Sequence, residues 1–395
     1  MKILVLNSGS SSIKFQLMDL PSETLICKGL IERIGAENAT VHYDTKEGTS
    51  SKTHPINNHK EGLETVTSLL LDAKTGVLQA ADAIDVVAHR VVHGGNRFDC
   101  PTKINETVLE EIDRLASLAP LHNPANATGI RVAMEVFPNA EQIAIFDTAF
   151  HQTLPEKAYR YAIPKALADE HHIRAYGFHG TSHKYVSEQA IAHLSFPSAK
   201  IISIHLGNGC SMTAIKDGKS IDHSLGFGPM NGLIMGTRSG DIDQSVIFYL
   251  MDNLKRSSAE VNQMLQQQSG LLGLTGHSDL REIQQQAAQG NEACQLALVM
   301  IAYRIKKYIG AYIAALNGLD ALIFTAGIGE NSVLLREMVC SDMEALGIHM
   351  DIAKNNLRVD ALQEIQKKDS TIKILVIPTN EELEIAKQSY ALLQG

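Results

Sequence analysis

The sequence predicts an α/β fold in two domains related by duplication, and three observations carry that expectation. At 395 residues the chain exceeds the length that one hydrophobic core organises. Short apolar, β-branched runs alternate along it with segments of helical periodicity. A strand, a Gly/Ser turn and a second strand open the chain, and the same arrangement returns about one domain later.

Lys2-Ile3-Leu4-Val5-Leu6-Asn7 is apolar and β-branched, Ser8-Gly9-Ser10-Ser11 is turn-forming, and Ile13-Lys14-Phe15-Gln16-Leu17 alternates apolar with polar residues. Together they read as strand, tight turn and strand. The second copy runs through 202–206, the turn Gly207-Asn208-Gly209-Cys210-Ser211 and 212–215; at an offset of 200, Leu6, Gly9 and Ser11 match Leu206, Gly209 and Ser211. Between the copies, 84–88 and 142–146 read as strands and 104–118 and 125–136 as helices. Helices follow near 242–254, 258–268 and 291–316, then a strand at 321–324, a helix near 331–346, a strand at 372–377 and a closing helix. Thr379-Asn380-Glu381-Glu382 fits a capping box, which puts Glu381 in the first turn, where the helix dipole favours negative charge. No long Pro/Gly/Ser linker separates the halves, and the boundary falls just after Asp147.

With 44% hydrophobic and 20% charged residues, the chain has enough apolar surface to stay folded throughout. A formal charge of −9 argues against nucleic acid or an anionic membrane as partner, since both are bound by concentrated Lys and Arg. No apolar run approaches the roughly 20 residues of a membrane span, and the N-terminus leads directly into a strand, so a cytoplasmic protein is expected. Five cysteines without a CxxC pair read as reduced thiols. His179 and His183 have HxxxH spacing but lack the glutamate and third ligand of a zinc site.

Several segments can carry chemistry. Asn7 to Ser12 offers hydroxyls and backbone N–H groups, with Lys14 beyond it as a point charge for phosphate; alone it equally suits an ordinary polar turn, and its pairing with Gly207-Asn208-Gly209 favours phosphate. Arg90, before Gly94 and Gly95, is a candidate carboxylate clamp or a surface ion pair. Asp147 follows an apolar strand, where active-site acids of α/β folds lie, or caps a helix. His179 stands between Gly177 and Gly180 as a core histidine or a phosphoryl-oxygen donor. Arg238, in Met235-Gly236-Thr237-Arg238-Ser239-Gly240-Asp241, is aimed at a transferring phosphate or belongs to a surface network. Gly327-Ile328-Gly329-Glu330-Asn331 follows a strand and opens a helix, as nucleotide-binding turns and plain connections both do.

In this order the segments resemble the acetate kinase family, within the superfamily of acetate and sugar kinases, actin and heat-shock ATPases. The resemblance runs through LNSGSSSIKF at 6–15, HRVVHGG at 89–95, LAPLHNPAN at 118–126, FDTAFHQTLP at 146–155, YGFHGTSHKYV at 176–186, HLGNG at 205–209, MGTRSGDID at 235–243, SGLLGLTG at 269–276, FTAGIGEN at 324–331 and IPTNEEL at 377–383. It implies two ribonuclease-H-like (actin-like) domains, 1–148 with the returning helix 380–395 and 149–379, and an active site in the interdomain cleft. The implied activity is reversible transfer of the ATP γ-phosphoryl group to acetate, with Mg²⁺ (Mn²⁺ as substitute), in a homodimer.

The resemblance also implies roles. Asn7 and Glu381 match the metal-site residues, and Lys14, His205, Leu206, Gly207, Asn208, Gly209, Asp279, Leu280, Arg281 and Gly327 to Asn331 match the ATP-contacting segments. Arg90 matches the substrate-carboxylate arginine, with Val92, Leu121, Phe178 and Pro229 as the apolar slot and His122 on the phosphate side. Asp147, His179 and Arg238 match the catalytic groups. Acetate is ionised near neutral pH and needs no general base, so Asp147 suits an organiser of cations better than a base. The chain departs from the family pattern at His223, Leu225, Asn231 and Gln244 and in a shortened 276–279 loop. The alternatives are a propionate or butyrate kinase with the same mechanism and, from a different class, an actin- or chaperone-like ATPase switch.

Overall fold

In the computed structural model of the chain, which describes residues 1–357 and 361–395, two compact units form: Met1–Ala149 with Asn380–Gly395, and Phe150–Thr379. The first unit is built on an eight-stranded sheet of β1 (Lys2–Ser8), β2 (Ser12–Asp19), β3 (Thr24–Glu32), β4 (Ala39–Thr45), β5 (Gly48–His54), β6 (Val86–Val91), β7 (Thr102–Lys103) and β8 (Glu141–Phe146), in the order β5-β4-β3-β2-β1-β6-β8-β7. The second has six strands, β9 (Lys200–Leu206), β10 (Cys210–Lys216), β11 (Lys219–His223), β12 (Ala321–Thr325), β13 (Gln363–Glu364) and β14 (Lys373–Val376), ordered β11-β10-β9-β12-β14-β13.

The two sheets share one plan. An antiparallel meander (β1, β2, β3 or β9, β10, β11) is extended by two parallel strands (β6, β8 or β12, β14) and closed by a two-residue antiparallel edge. This shared order is the duplication. The identities at an offset of 200 are not its register, because the two turns differ by one residue. Gly9 N–H donates to the Ser12 carbonyl at 2.8 Å across Ser10 and Ser11, whereas Gly207 N–H donates to the Gly209 carbonyl at 3.0 Å across Asn208 alone. No single offset superposes both arms of both hairpins.

Period-two alternation sorts each central strand into two faces. In the first unit Leu4 and Leu6 join Leu63, Val66 and Ala133 on the side covered by helices His59–Leu70 and Asn123–Val136. Ile3 and Val5 join Val86, Ile143 and Ile145 on the other, covered by Ile385 and Ala386 of the C-terminal helix Glu381–Gln394. The chain thus completes its second unit before supplying the helix that seals the first, and that return sets Glu381 near the ends of β6 and β8. In the second unit Ile201, Ile323 and Leu375 pack under Val186 and Ala190 of helix Gly180–Leu194, and helix Glu292–Leu316 covers β9 and β10 on the other face.

Three expectations change. The C-terminal helix is capped by Asn380, whose side chain accepts from Leu383 N–H, because Thr379 Oγ1 is bonded to Ser182 Oγ at 2.9 Å and Thr379 N–H to Glu330 at 3.1 Å. The helix expected over 331–346 runs only over Val333–Cys340, and the one over 104–118 ends at Arg114 before a short 3₁₀ turn. Among the described residues no helix is long and apolar enough to cross a membrane.

Candidate active site

In the first unit the candidate residues gather at the carboxyl ends of the parallel strands, where open α/β sheets present their chemistry. β1 ends with Asn7 and Ser8, β6 carries Arg90, and Asp147 directly follows β8. Asn126 ties these ends together: its carboxamide accepts from Val92 N–H at 3.1 Å and donates to the Ser8 carbonyl at 2.8 Å. Asn123 brackets His93 in the same way, at 3.1 and 3.0 Å. The buried asparagines of the LHNPAN segment therefore hold the loop after Arg90, a role that sequence reading missed and that buried amides at the start of a helix signal.

Arg90 donates through Nη2 to Asp147, which is 1% exposed, and reaches Asn7 Oδ1 through Nη1 at 3.5 Å. Burial works against its charge, yet the carboxylates of Asp147, Glu381 and Glu382 hold its pKa above the ordinary arginine value. Its buried Nε has no hydrogen-bond partner among the described residues, a costly arrangement unless an acceptor arrives. A carboxylate is the natural acceptor for a guanidinium edge. Burial, with the charges of Asp147 and Glu382 adding and those of Arg90 and Lys14 opposing, pushes Glu381 up to about 7. Lys14, expected on the nucleotide, is ion-paired with Glu382. Val92 is buried and Leu121 is 57% exposed; His122 precedes the helix Asn123–Val136 and is exposed.

The second unit holds a groove of about 770 Å³, within the size range of ligand pockets. The turn Gly207-Asn208, the segment Asp279-Leu280-Arg281, and Gly327, Ile328 and Asn331 line it together with Ser278, Gln284 and Ser332, which sequence reading did not find. Of the other expected nucleotide residues, His205 and Leu206 are buried in β9 beneath the turn. Gly329 gives its carbonyl to Arg336 at 2.8 Å, and the Glu330 carboxylate, its pKa raised by burial, turns away to Thr379 N–H.

Beside this groove the chain brings His179 and Arg238 together. A Cβ on Gly209 would lie 3.4 Å from the His179 Nε2 and from Arg238 Nη2, so only glycine leaves that space open. The Arg238 loop is anchored to the same turn by Gly236 N–H on the Asn208 carbonyl at 3.0 Å, and the guanidinium is aimed by its bond to the Pro229 carbonyl at 2.7 Å. Burial lowers the Arg238 pKa. Among the described residues no carboxylate forms an ion pair with it.

His179 sits at φ 55°, the left-handed region, a conformation that persists in a non-glycine residue only when its surroundings enforce it. The enforcement is visible. Phe178 N–H donates to His223 Nε2 at 3.1 Å, and His151 Nε2 donates to the Phe178 carbonyl at 3.0 Å. Gly177 admits the His151 ring, which a Cβ there would meet at 2.6 Å. Phe178 and Pro229, proposed apolar-slot residues, thus also hold the backbone and the guanidinium in place. His223, where the chain departs from the family pattern, is one of the two clamps; Leu225 is buried, Asn231 is exposed and Gln244 opens helix Gln244–Asp252. The His179 ring stacks on His205 at 4.4 Å with an interplanar angle of 19°.

Comparison with known proteins bears on this arrangement as a whole. The signature of the acetokinase family matches residues 2–387. An acetate kinase of Flavobacterium johnsoniae is 58% identical over the full length of both chains. Among solved structures, that of Porphyromonas gingivalis acetate kinase superposes with a TM-score of 0.94 at 42% identity, covering 99% of each chain, and that of a Francisella tularensis propionate kinase with 0.92 at 45% identity, covering 98% of each.

Proposed function

The chain belongs to the acetokinase family, and from that premise we propose that it is a phosphotransferase moving the γ-phosphoryl group of ATP to the carboxylate of acetate, giving acetyl phosphate and ADP. One observation carries the reading: a guanidinium that has no carboxylate counter-ion among the described residues and an imidazole face the same side of Gly209, at the edge of the nucleotide-sized groove. A cationic guanidinium and an imidazole N–H aimed at a phosphate-binding turn are what a metaphosphate-like transition state requires.

The first unit supplies the acceptor side. Arg90 orients the acid through its Nε, which has no partner among the described residues, and Asp147 fixes the guanidinium. Acetate, already ionised, attacks in line without a general base. On the donor side, Asn208 and the 279–281 and 327–331 segments hold the nucleotide, while His179 and Arg238 stabilise charge on the transferring group. Among the described residues no three His, Cys, Asp or Glu side chains gather to hold a metal; magnesium is commonly held by one or two carboxylates plus substrate phosphates. Glu381, its charge disfavoured by burial and by Asp147 and Glu382, is the carboxylate a cation would favour, and Asn7, which Arg90 reaches at 3.5 Å, is the second residue we assign to it. When bound, magnesium supplies positive charge to the β- and γ-phosphate oxygens.

Incubation with ATP, Mg²⁺, acetate and hydroxylamine is expected to yield acetyl hydroxamate in step with ADP; ADP without hydroxamate would instead identify a nucleotide-driven switch. The Francisella tularensis propionate kinase makes chain length a specific question. One methylene changes transition-state binding by only ~1–3 kcal/mol. We expect kcat/KM to rank acetate above propionate and butyrate, and a tenfold preference for propionate would remove the acetate assignment.

The same reading includes a homodimer. Helix Gln244–Asp252 has no buried residue, yet Val246, Phe248 and Tyr249 are 44%, 61% and 57% exposed, and helix Glu292–Leu316 exposes Leu296, Val299 and Tyr303. Exposed apolar side chains on these two helices suit an association surface, and a second copy of the chain is the occupant we propose. Sedimentation equilibrium should give twice the chain mass at micromolar concentration, and a monomer there would reject the assignment.

A further inference from the structure

Two of the unit's histidines are joined to its serines in a line that ends at His179. Ser203 Oγ lies 2.9 Å from His183 Nδ1, His183 Nε2 lies 2.7 Å from Ser211 Oγ, and Ser211 Oγ lies 2.9 Å from His179 Nδ1. Ser203, His183 and Ser211 are fully buried. A hydroxyl has one proton, so Ser211 can donate to only one of the two imidazoles and must accept from the other. The His183 ring, its pKa lowered by burial and then by the nearby His151 and His205, is neutral and carries one N–H.

Only two proton arrangements satisfy the whole line. In one, every donor points toward the active site: Ser203 O–H to His183 Nδ1, His183 Nε2–H to Ser211 Oγ, Ser211 O–H to His179 Nδ1. Neutral His179 then carries its proton on Nε2. In the other every bond is reversed, His179 Nδ1–H donates to Ser211, and Nε2 of the neutral ring becomes an acceptor. The Nε2 edge is the one that faces the open side of Gly209 beside Arg238. Phosphoryl oxygens only accept, so an Nε2 acceptor there would repel them, while Nε2–H would bind them.

We propose that Ser211, oriented through His183 by Ser203, is a positioning residue that fixes His179 as the Nε2–H tautomer and so makes it a donor to the transferring phosphoryl group. The inference rests on the proposed role of His179 in transfer. It gives the serines a task that ordinary core packing does not: each is a hydroxyl in an apolar strand, Ser203 between Ile202 and Ile204 in β9 and Ser211 beside Met212 in β10. Removing the Ser211 hydroxyl removes the bond through which the line selects the His179 tautomer, and a smaller part of the population then donates.

The test reads the imidazole directly. Protein labelled with ¹⁵N-histidine, with His179 assigned by comparison with His179→Gln, should give the ¹⁵N pattern of an Nε2–H tautomer in the wild type. A mixture is expected in Ser211→Ala, with kcat reduced about tenfold, KM for ATP within about twofold, and recovery in Ser211→Thr. Ser203→Ala, at the far end of the line, should move the His179 signals in the same direction and serves if Ser211→Ala does not fold. A wild-type His179 protonated on Nδ1, or an unchanged His179 pattern in the folded serine variant, overturns the relay. A shifted pattern with unchanged kcat overturns instead the role given to His179 in transfer.

Discussion

Replacing Arg238 with alanine is expected to lower kcat by about 10³- to 10⁵-fold, the range for arginines that neutralise a transferring phosphoryl group, while KM for ATP changes by less than about tenfold. The asymmetry follows from position. The groove is lined by the 207–208, 278–284 and 327–332 segments, and Arg238 is not among its lining residues. Its guanidinium is held by the Pro229 carbonyl, faces Gly209 and has no carboxylate partner among the described residues. What the substitution removes is therefore charge stabilisation that grows as the phosphoryl transfers, which lowers kcat without a matching rise in KM. Folding should not suffer. A desolvated cation with no carboxylate partner costs stability, so the melting temperature of Arg238→Ala is expected to hold or rise. Steady-state kinetics with a thermal melt on the same preparation checks both parts, and an unchanged kcat refutes the transition-state role.

What was legible in the sequence was local. Gly207-Asn208-Gly209 and Gly327-Ile328-Gly329 announce themselves because a strand must stop and expose backbone there, and the residues that follow fall where the strand ends put them. The meander strands β3 to β5 were not read. Their outer edge, Gly48–His54, is exposed along almost its whole length, so no alternation of apolar and polar residues marks it as a strand. Partners brought together from distant segments were hidden for another reason: Glu382, which pairs with Lys14, lies on the last helix, more than 300 residues away in sequence. The serines that contact His179 and His183 left a faint signal, a hydroxyl inside an apolar strand, which demands a buried acceptor or donor. The αL backbone of His179 had a clearer one in the glycines on either side of the Phe178-His179 pair, and its clamps, His151 and His223, lie 28 and 44 residues from it in sequence.

Arg90→Ala should separate two functions that one side chain serves. The loss of the guanidinium leaves Asp147 buried near Glu381 and Glu382 without its ion-pair partner, and breaking a buried pair from one side destabilises by about 3–5 kcal/mol. It also deprives acetate of its clamp. Truncating one partner of a buried charge pair costs about 2–5 kcal/mol in binding, so KM for acetate should rise at least roughly 30-fold while KM for ATP stays near the wild-type value. The double variant Arg90→Ala/Asp147→Asn discriminates between these effects. Removing the second charge relieves the repulsion with Glu381 and Glu382, so most of the lost stability should return in denaturant unfolding, whereas KM for acetate should remain high because no guanidinium has been restored. Lysine at position 90 should recover only part of the affinity, since an ammonium cannot meet Asp147 and a carboxylate along two edges of one planar group. If stability and acetate binding return together in the double variant, Arg90 acts only by holding Asp147, and the substrate carboxylate must be bound elsewhere.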